Sequence, residues 1–247
     1  DTINGNGELH GGNGDDVIAV MGGLTDIRDS EALDNVRTRT GDVDGGSGND
    51  VIHGASGFDT ICGGDGDDTI TDFFEANSLR DVDSTMSAFI SGDAGNDLIT
   101  LSNTEGRDFS ISGGLDDDII ILQSVSSSGG FAHGDDGNDW IEAHTDYSFT
   151  TLYPSALSLD GGRGDDTLIV YAPADVNGGE DDDLIRLQFF SGVETPETKN
   201  AFTGETIAFG SSETTVGSWI DGGAGYDVVE IVDFRVFTVA NFTDGFK

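Results

Sequence analysis

Between Asp44 and Thr71 the chain reads DGGSGNDVIHGASGFDTICGGDGDDTIT, which holds three nine-residue units end to end: GGSGNDVIH, GASGFDTIC and GGDGDDTIT. Each unit has Gly at positions 1 and 4, Asp at 6 and Ile at 8. Few folds accept such a period. Glycine at fixed intervals supplies tight turns, because it adopts φ > 0 without steric cost. One aliphatic residue after each turn supplies a short strand with an inward face. A unit this small cannot bury that face alone and has to stack on its neighbours.

The motif recurs ten times, starting at Gly11, Gly45, Gly54, Gly63, Gly92, Gly113, Gly134, Gly161, Gly178 and Gly222. Position 6 is always Asp: Asp16, Asp50, Asp59, Asp68, Asp97, Asp118, Asp139, Asp166, Asp183 and Asp227. Position 8 is always aliphatic: Ile18, Ile52, Ile61, Ile70, Ile99, Ile120, Ile141, Leu168, Ile185 and Val229. Chance does not hold two positions in register ten times.

Only Gly45, Gly54 and Gly63 stand nine apart; elsewhere the separation is 17 to 44 residues. A second strand accounts for the difference. The residue two before nine of the turns is apolar: Leu9, Val43, Ile61, Ile90, Ile111, Ala132, Leu159, Val176 and Ile220. One coil then reads as a Gly turn, a strand with positions 8 and 10 inward, a variable connection, and a second strand. Nine turns fall on one edge and the Gly54 turn on the other. The connections predict insertions at about 21–41, 72–87, 102–108, 123–129, 144–155 and 188–217. Ser30 to Arg37 has the N-cap and spacing for a short helix, and DFFEANSLRDVDSTM has a similar character. ETIAF in the longest insertion reads as an extra strand. The Phe-rich segment 232–247 reads as a cap on the open end of the stack. The expected organisation is a single elongated domain over 1–247.

On these residues the chain resembles the RTX (hemolysin-type calcium-binding) repeat family. The resemblance implies an all-β fold, a right-handed parallel β-roll or β-helix solenoid, here with irregular loops on one edge. It also implies Ca2+ between turns of adjacent coils, held by carbonyls from both and by a position-6 Asp from each. Calcium prefers six to eight such hard oxygens. Carried over to this chain, the metal residues are Gly11, Asp16, Gly45, Asp50, Gly63, Asp68, Gly92, Asp97, Gly113, Asp118, Gly134, Asp139, Gly161, Asp166, Gly178, Asp183, Gly222 and Asp227. Position-1 glycines and position-3 residues are the expected carbonyl donors. Nine turns enclose at most about eight inter-turn sites. Asp116 and Asp181 replace the position-4 Gly, and Ala55, Asp93 and Asp135 the second Gly. Asp tolerates the left-handed region, so those turns are expected to form. Asp59 stands apart on the opposite edge.

Composition agrees. The 48 Asp and Glu against 10 Lys and Arg give a formal net charge of -38, which repels nucleic acid and anionic lipid but attracts cations. Position-6 carboxylates about 4.8 Å apart repel one another, so folding and cation binding should be coupled. The single cysteine, Cys62, excludes an intrachain disulfide and is expected as a small packed or edge residue. No run of residues is long and apolar enough to span a membrane. Asp1 falls at position 6 of a coil, which reads as a fragment, a processed product or a subunit abutting another.

No HExxH or GxSxG occurs, and the many carboxylates are better read as calcium ligands or solvated charge than as catalytic pairs. His10, His53 and His133 sit just before Gly turns and read as solvated or stacked side chains. Trp140 and Trp219 read as exposed strand or loop-packing residues. The expected protein is therefore no enzyme. The resemblance further implies a calcium-binding, extracellular or cell-surface segment of bacterial origin, exported by type I secretion and folded by calcium outside the cell. Its expected role is structural or adhesive, as in a surface layer, filament or adhesin. The alternative is the C-terminal secretion and folding module of a secreted protease, lipase or polysaccharide-modifying enzyme. Expected partners are calcium and, beyond it, the chain itself, end to end or laterally, or a surface glycan contacted by Tyr147, Phe149, Tyr153, Phe189 and Phe190.

Overall fold

The computed structural model describes residues 1–5, 8–20, 42–54, 60–73, 88–102, 108–124, 130–144, 157–171, 174–188, 197–199, 206–208 and 220–232. These residues form strands and turns, with no helix among them. In chain order the strands are β1 (Thr2–Gly5), β2 (Leu9–Asn13), β3 (Val17–Val20), β4 (Asp42–Ser47), β5 (Val51–His53), β6 (Thr60–Asp65) and β7 (Thr69–Phe73). Next come β8 (Ala88–Ala94), β9 (Leu98–Ser102), β10 (Phe109–Leu115), β11 (Ile119–Gln123), β12 (Gly130–Asp136), β13 (Trp140–Ala143) and β14 (Leu157–Arg163). The last are β15 (Thr167–Val170), β16 (Asp175–Glu180), β17 (Leu184–Gln188), β18 (Glu197–Lys199), β19 (Thr206–Ala208), β20 (Ile220–Ala224) and β21 (Val228–Val232).

Two parallel sheets result. Ten strands pair in the order β1-β3-β5-β7-β9-β11-β13-β15-β17-β21, and nine in the order β2-β4-β6-β8-β10-β12-β14-β16-β20. Nine of the Gly turns join a strand of the second sheet to one of the first, so the fold is the expected parallel β-roll. The position-8 residues pair rung to rung, from Ile18 with Ile52 to Ile185 with Val229. Opposite them, Leu9 pairs with Val43 and the column continues to Val176 with Ile220. Both columns face the interior, where Ile18, Ile52, Ile61 and Ile70 have no exposed surface. Alternation with period two makes this possible, since every second residue of a strand faces the same side.

A third inward column lies four residues before the turns: Ala88, Phe109, Gly130, Leu157 and Ala174, all buried. Phe109 pairs with Ala88 on one side and Gly130 on the other, so a large ring sits between two small residues. The fourth column is position 10, with Leu101, Leu122, Val170 and Leu187 buried. Asp72 also stands in it, in register with Leu101 and fully buried.

β7, β9, β11 and β17 run through Asp72, Ser102, Gln123 and Gln188, which the repeat spacing assigned to insertions. The extra strand expected in ETIAF appears at Thr206–Ala208, antiparallel to Glu197–Lys199. The short helix at Ser30 to Arg37, the DFFEANSLRDVDSTM segment beyond Phe73, Asp59 and the terminal cap beyond Val232 lie outside the described residues.

Candidate metal edge

Nine Gly turns lie one above another along the edge where the second sheet passes into the first. At each, the position-6 Asp turns inward: Asp16, Asp50, Asp68, Asp97, Asp118, Asp139, Asp166 and Asp183 are no more than 2 % exposed, and Asp227 on the last rung is 5 % exposed. Their Oδ1 atoms form a continuous ladder. The backbone N–H of Asp16 donates to Oδ1 of Asp50 at 2.7 Å, Asp50 to Asp68 at 2.7 Å, and Asp68 to Asp97 at 2.7 Å. The pattern persists through Asp118, Asp139 and Asp166 to Asp183, whose N–H reaches Asp227 at 3.2 Å. The N-terminal ammonium of Asp1 occupies the corresponding place below Asp16, 2.7 Å from its Oδ1.

The other carboxylate oxygen is different. Oδ2 of Asp16, Asp50, Asp68, Asp97, Asp118, Asp139, Asp166 and Asp183 is buried and accepts no hydrogen bond. An anionic oxygen in that position costs free energy unless a proton or cation meets it. What lies around it is oxygen. A Cβ added at Gly113 would overlap Oδ2 of Asp118 and come within 2.6 Å of the carbonyl oxygen of Gly134 on the next rung. Gly11, Gly45, Gly63, Gly92, Gly134, Gly161 and Gly178 repeat the arrangement with their own position-6 Asp and the following rung's position-1 carbonyl. Position-2 and position-4 carbonyls point the other way: those of Gly12 and Gly14 face Gly46 and Gly48. Each gap is therefore lined by carbonyls from both turns and by a carboxylate oxygen.

The position-3 carbonyls also bond across the rungs. Those of Ser47 and Asp65 accept the position-4 N–H of the preceding rung, from Gly14 at 2.6 Å and from Gly48 at 2.8 Å. This bond joins the turns directly and leaves each position-3 oxygen a second lone pair.

Burial raises the pKa values of the position-6 carboxyls from Asp50 to Asp183, and neighbouring carboxylates raise them further against the lowering effect of the donated N–H. Asp118, in the middle, is pushed up to about 8. Asp97 and Asp166 rise to about 7. Asp68, Asp139 and Asp183 rise to about 6. Asp50, near the end of the stack, is raised by the same burial.

A second ladder, which the repeat pattern alone did not reveal, runs alongside in the opposite sense. Position-5 side chains accept the N–H of the next rung's position 5: Asp15 from Asn49 at 3.0 Å, Asn49 from Asp67 at 3.2 Å, and Asp67 from Asn96 at 3.0 Å. It continues through Asp117, Asn138 and Asp165 to Asp182, which accepts from Tyr226 at 2.8 Å. Its signal was Asp or Asn at position 5 of eight of these nine turns.

Asp93, Asp116, Asp135 and Asp181 take φ of 75°, 75°, 77° and 82° where most turns have glycine, and all four turns form. Asp93 accepts from the Ser91 hydroxyl at 2.6 Å, and Asp135 from that of Ser112. Gly54 sits on the opposite edge, its N–H bonded to the Thr71 carbonyl at 2.9 Å, and the buried Asp72 carboxylate lies against it. Sequence reading passed over Asp72. His10 is exposed between Glu8 and Asp44, and His133 lies beside Asp160, as expected of solvated histidines. No cluster of three His, Cys, Asp or Glu side chains converges among the described residues, so most oxygens at an inter-turn site would come from backbone.

Four copies of the RTX calcium-binding nonapeptide repeat match the chain, over residues 43–71 and 158–171. No curated protein and no solved structure gives a significant match.

Proposed function

The chain carries RTX calcium-binding repeats on a parallel β-roll, and from that premise we propose that it is an extracellular structural or adhesive segment held folded by calcium along its turn edge. One observation carries the reading: eight buried position-6 carboxylates each leave Oδ2 without a hydrogen-bond donor, facing a position-1 glycine. The surroundings suit a hard divalent cation. Asp16, Asp50, Asp68, Asp97, Asp118, Asp139, Asp166, Asp183 and Asp227, with carbonyls of adjoining turns, would hold up to about eight ions. Bound calcium supplies the positive charge that the stacked carboxylates lack.

The residues themselves do the rest. Oδ1 of each Asp from Asp50 to Asp227 accepts the N–H of the rung before it, which holds the carboxylate in place. Glycine at position 1 leaves the gap open, because any Cβ there would fill it. The position-5 ladder holds each turn at its spacing from the next. Since the liganding carboxylates repel one another when bare, binding free energy becomes folding free energy.

RTX repeats are typical of proteins secreted by bacteria, which agrees with a chain that stays unfolded at low cytosolic calcium and folds after export. The strands occupy most of the described residues and carry no catalytic motif, so a scaffold role is the simpler reading. The test is circular dichroism during calcium titration. Strand signal should appear cooperatively with calcium and vanish on chelation. A roll that is equally folded in excess chelator at neutral pH would overturn the proposal.

A further inference from the structure

Three neighbouring rungs of the nine-stranded sheet build a hollow on its outer side. Across β12, β14 and β16, His133, Asp160 and Asn177 stand side by side in one column. Two residues further along each strand, Asp135, Gly162 and Gly179 form the next column, and beyond them come Asp136, Arg163 and Glu180. The two glycines carry no side chain, so the flanking columns rise as ridges and the backbone between them becomes a floor. Asp135 closes one end. The space enclosed is about 400 Å³, within the range of small-molecule sites. Gly12, Gly46 and Gly64 also adjoin one another, but Asn13, Ser47 and Asp65 beside them are shorter than Arg163 and Glu180 and raise a lower wall.

Each ridge is braced from within. Asn177 Nδ2 donates to Oδ1 of Asp160 at 2.8 Å, and His133 Nδ1 lies 3.6 Å from Oδ2 of the same carboxylate. On the far ridge Arg163 Nη1 donates to Asp136 at 3.2 Å, and its Nε lies 3.5 Å from Glu180. These contacts use part of the guanidinium's donor fork, and a carboxylate accepts more than one hydrogen bond. The hollow therefore offers donors and acceptors together, positioned before any ligand arrives. An aromatic surface adjoins it at the His133 end. The Phe131 and His133 rings lie 6.5 Å apart and 10° from parallel, with Phe131 exposed and His133 half-buried.

Hydroxyls that both donate and accept, together with a C–H face for the rings, are the chemistry of a pyranose sugar. A bare cation matches less well, because no three His, Cys, Asp or Glu side chains among the described residues converge as metal ligands would. Charge narrows the class. The hollow sets Asp135, Asp136, Asp160 and Glu180 against Arg163, in a chain with a net charge of -38, so sugars bearing carboxylates are repelled. We propose that the hollow across β12, β14 and β16 binds a short stretch of glycan without acidic groups, its ring face against Phe131 and His133 and its hydroxyls on Asp160, Asn177 and Arg163. This goes beyond the scaffold role and rests only on the folded roll, whichever cation completes the turns.

Saturation-transfer NMR on the full chain in saturating calcium tests it, with circular dichroism first confirming the folded roll. The probes are maltotriose, cellotriose, the trimers of glucosamine and N-acetylglucosamine, and trigalacturonate. At least one of the non-acidic trisaccharides should bind saturably, and trigalacturonate should not. Phe131→Ser and Asn177→Ala should each weaken the bound sugar several-fold, while Trp140→Ser on the other sheet leaves it unchanged. Should either hollow variant lose its strand signal, Arg163→Ala on the exposed ridge serves in its place. Failure of every non-acidic probe to bind overturns the proposal, as does equal binding of trigalacturonate. So does a sugar signal that Trp140→Ser abolishes and Phe131→Ser spares, or one that magnesium displaces from the folded chain, which would make the hollow a cation site. A roll that stays folded in chelator defeats the calcium reading alone, and the same titration then runs without calcium.

Discussion

The backbone N–H of Asp97 donates to Oδ1 of Asp118, one rung further along, at 2.8 Å, while Oδ2 of Asp118 accepts nothing. One carboxylate thus has two tasks at two oxygens. Oδ1 ties the rungs together whether or not a cation is present. Oδ2, buried against Gly113, is useful only when a positive charge arrives. Repeated along the edge, this division lets the same residues specify the stack and offers a basis for the proposed dependence on metal.

Substitution at Asp118 separates the two tasks. Asp118→Asn keeps an acceptor for the Asp97 N–H and removes the charge. The calcium-free chain should be no less stable, but the calcium midpoint should rise roughly tenfold, since ligand charge sets affinity. Asp118→Ala also strands a buried N–H, at a cost of about 1–3 kcal/mol. Calcium titration and urea unfolding of the two variants should therefore diverge. Identical behaviour would mean that Oδ1 contributes nothing to the stack.

The raised carboxyl pKa values fix the sign of the pH dependence without calcium. The folded chain holds protons on Asp97, Asp118 and Asp166 up to about 7 or 8, whereas an unfolded Asp releases its proton near about 4. Folding therefore takes up protons between these values. The associated stability is fully present below about pH 4 and is lost as pH rises through about 6 to 8. In chelator, strand signal should therefore be present near pH 5 and lost towards pH 8.5, and should be so even in 1 M salt, which screens exposed charges but not buried ones. In saturating calcium the trend should reverse, because the ion needs deprotonated carboxylates. A chelated chain equally stable across the range would exclude protonated carboxyls in the stack.

Gly113 shows why the first position of the turn is glycine. Its φ is not among the positive ones, so the constraint is space: a Cβ would overlap Oδ2 of Asp118 and lie 2.6 Å from the Gly134 carbonyl oxygen. Gly113→Ala should destabilise the calcium-loaded chain by about 1–3 kcal/mol, as overpacking does, and should weaken calcium binding. Gly12 has the reverse problem, φ of 102° with nothing near its Cβ. Gly12→Ala should cost about 1–2 kcal/mol from conformation alone, with the calcium midpoint of the central rungs unchanged. Urea unfolding and calcium titration of both variants decide the matter.

The two columns formed by Ile18, Ile52 and Leu9, Val43 were legible because they sit at fixed distances from glycines that cannot move. The column of Ala88, Phe109, Gly130, Leu157 and Ala174 keeps an equally fixed offset, but its residues range from Gly to Phe. Size varies there because the large ring of Phe109 fits between Ala88 and Gly130, so no hydrophobic period marks it. The buried position-6 carboxylates were legible as a type and a spacing. That their two oxygens differ was not, since it depends on which N–H the next rung presents. The position-5 ladder escaped notice because Asp and Asn are common turn residues for local reasons. Asp72 reads as the start of a polar connection, and only the register of β7 against β9 puts it inside.

Asp116 offers a test of strain against charge. It replaces a turn glycine at φ of 75°, is exposed, and its charge helps to raise the pKa of Asp118. The left-handed region costs an L-residue about 1–2 kcal/mol, less for Asp than for most. Asp116→Gly removes that cost, but glycine gives back about 0.5–1 kcal/mol in the unfolded chain. The net change in calcium-saturated stability should be small. Asp116→Ala keeps the strain without the local bonding that eases it for Asp, and should be about 1 kcal/mol less stable than the Gly variant. Both remove one negative charge beside Asp118, so both should fold more readily in chelator than the parent at pH 8. Urea unfolding with and without calcium reads the two effects separately. An Ala variant as stable as the Gly variant in calcium would show that the turn does not impose the left-handed conformation at residue 116.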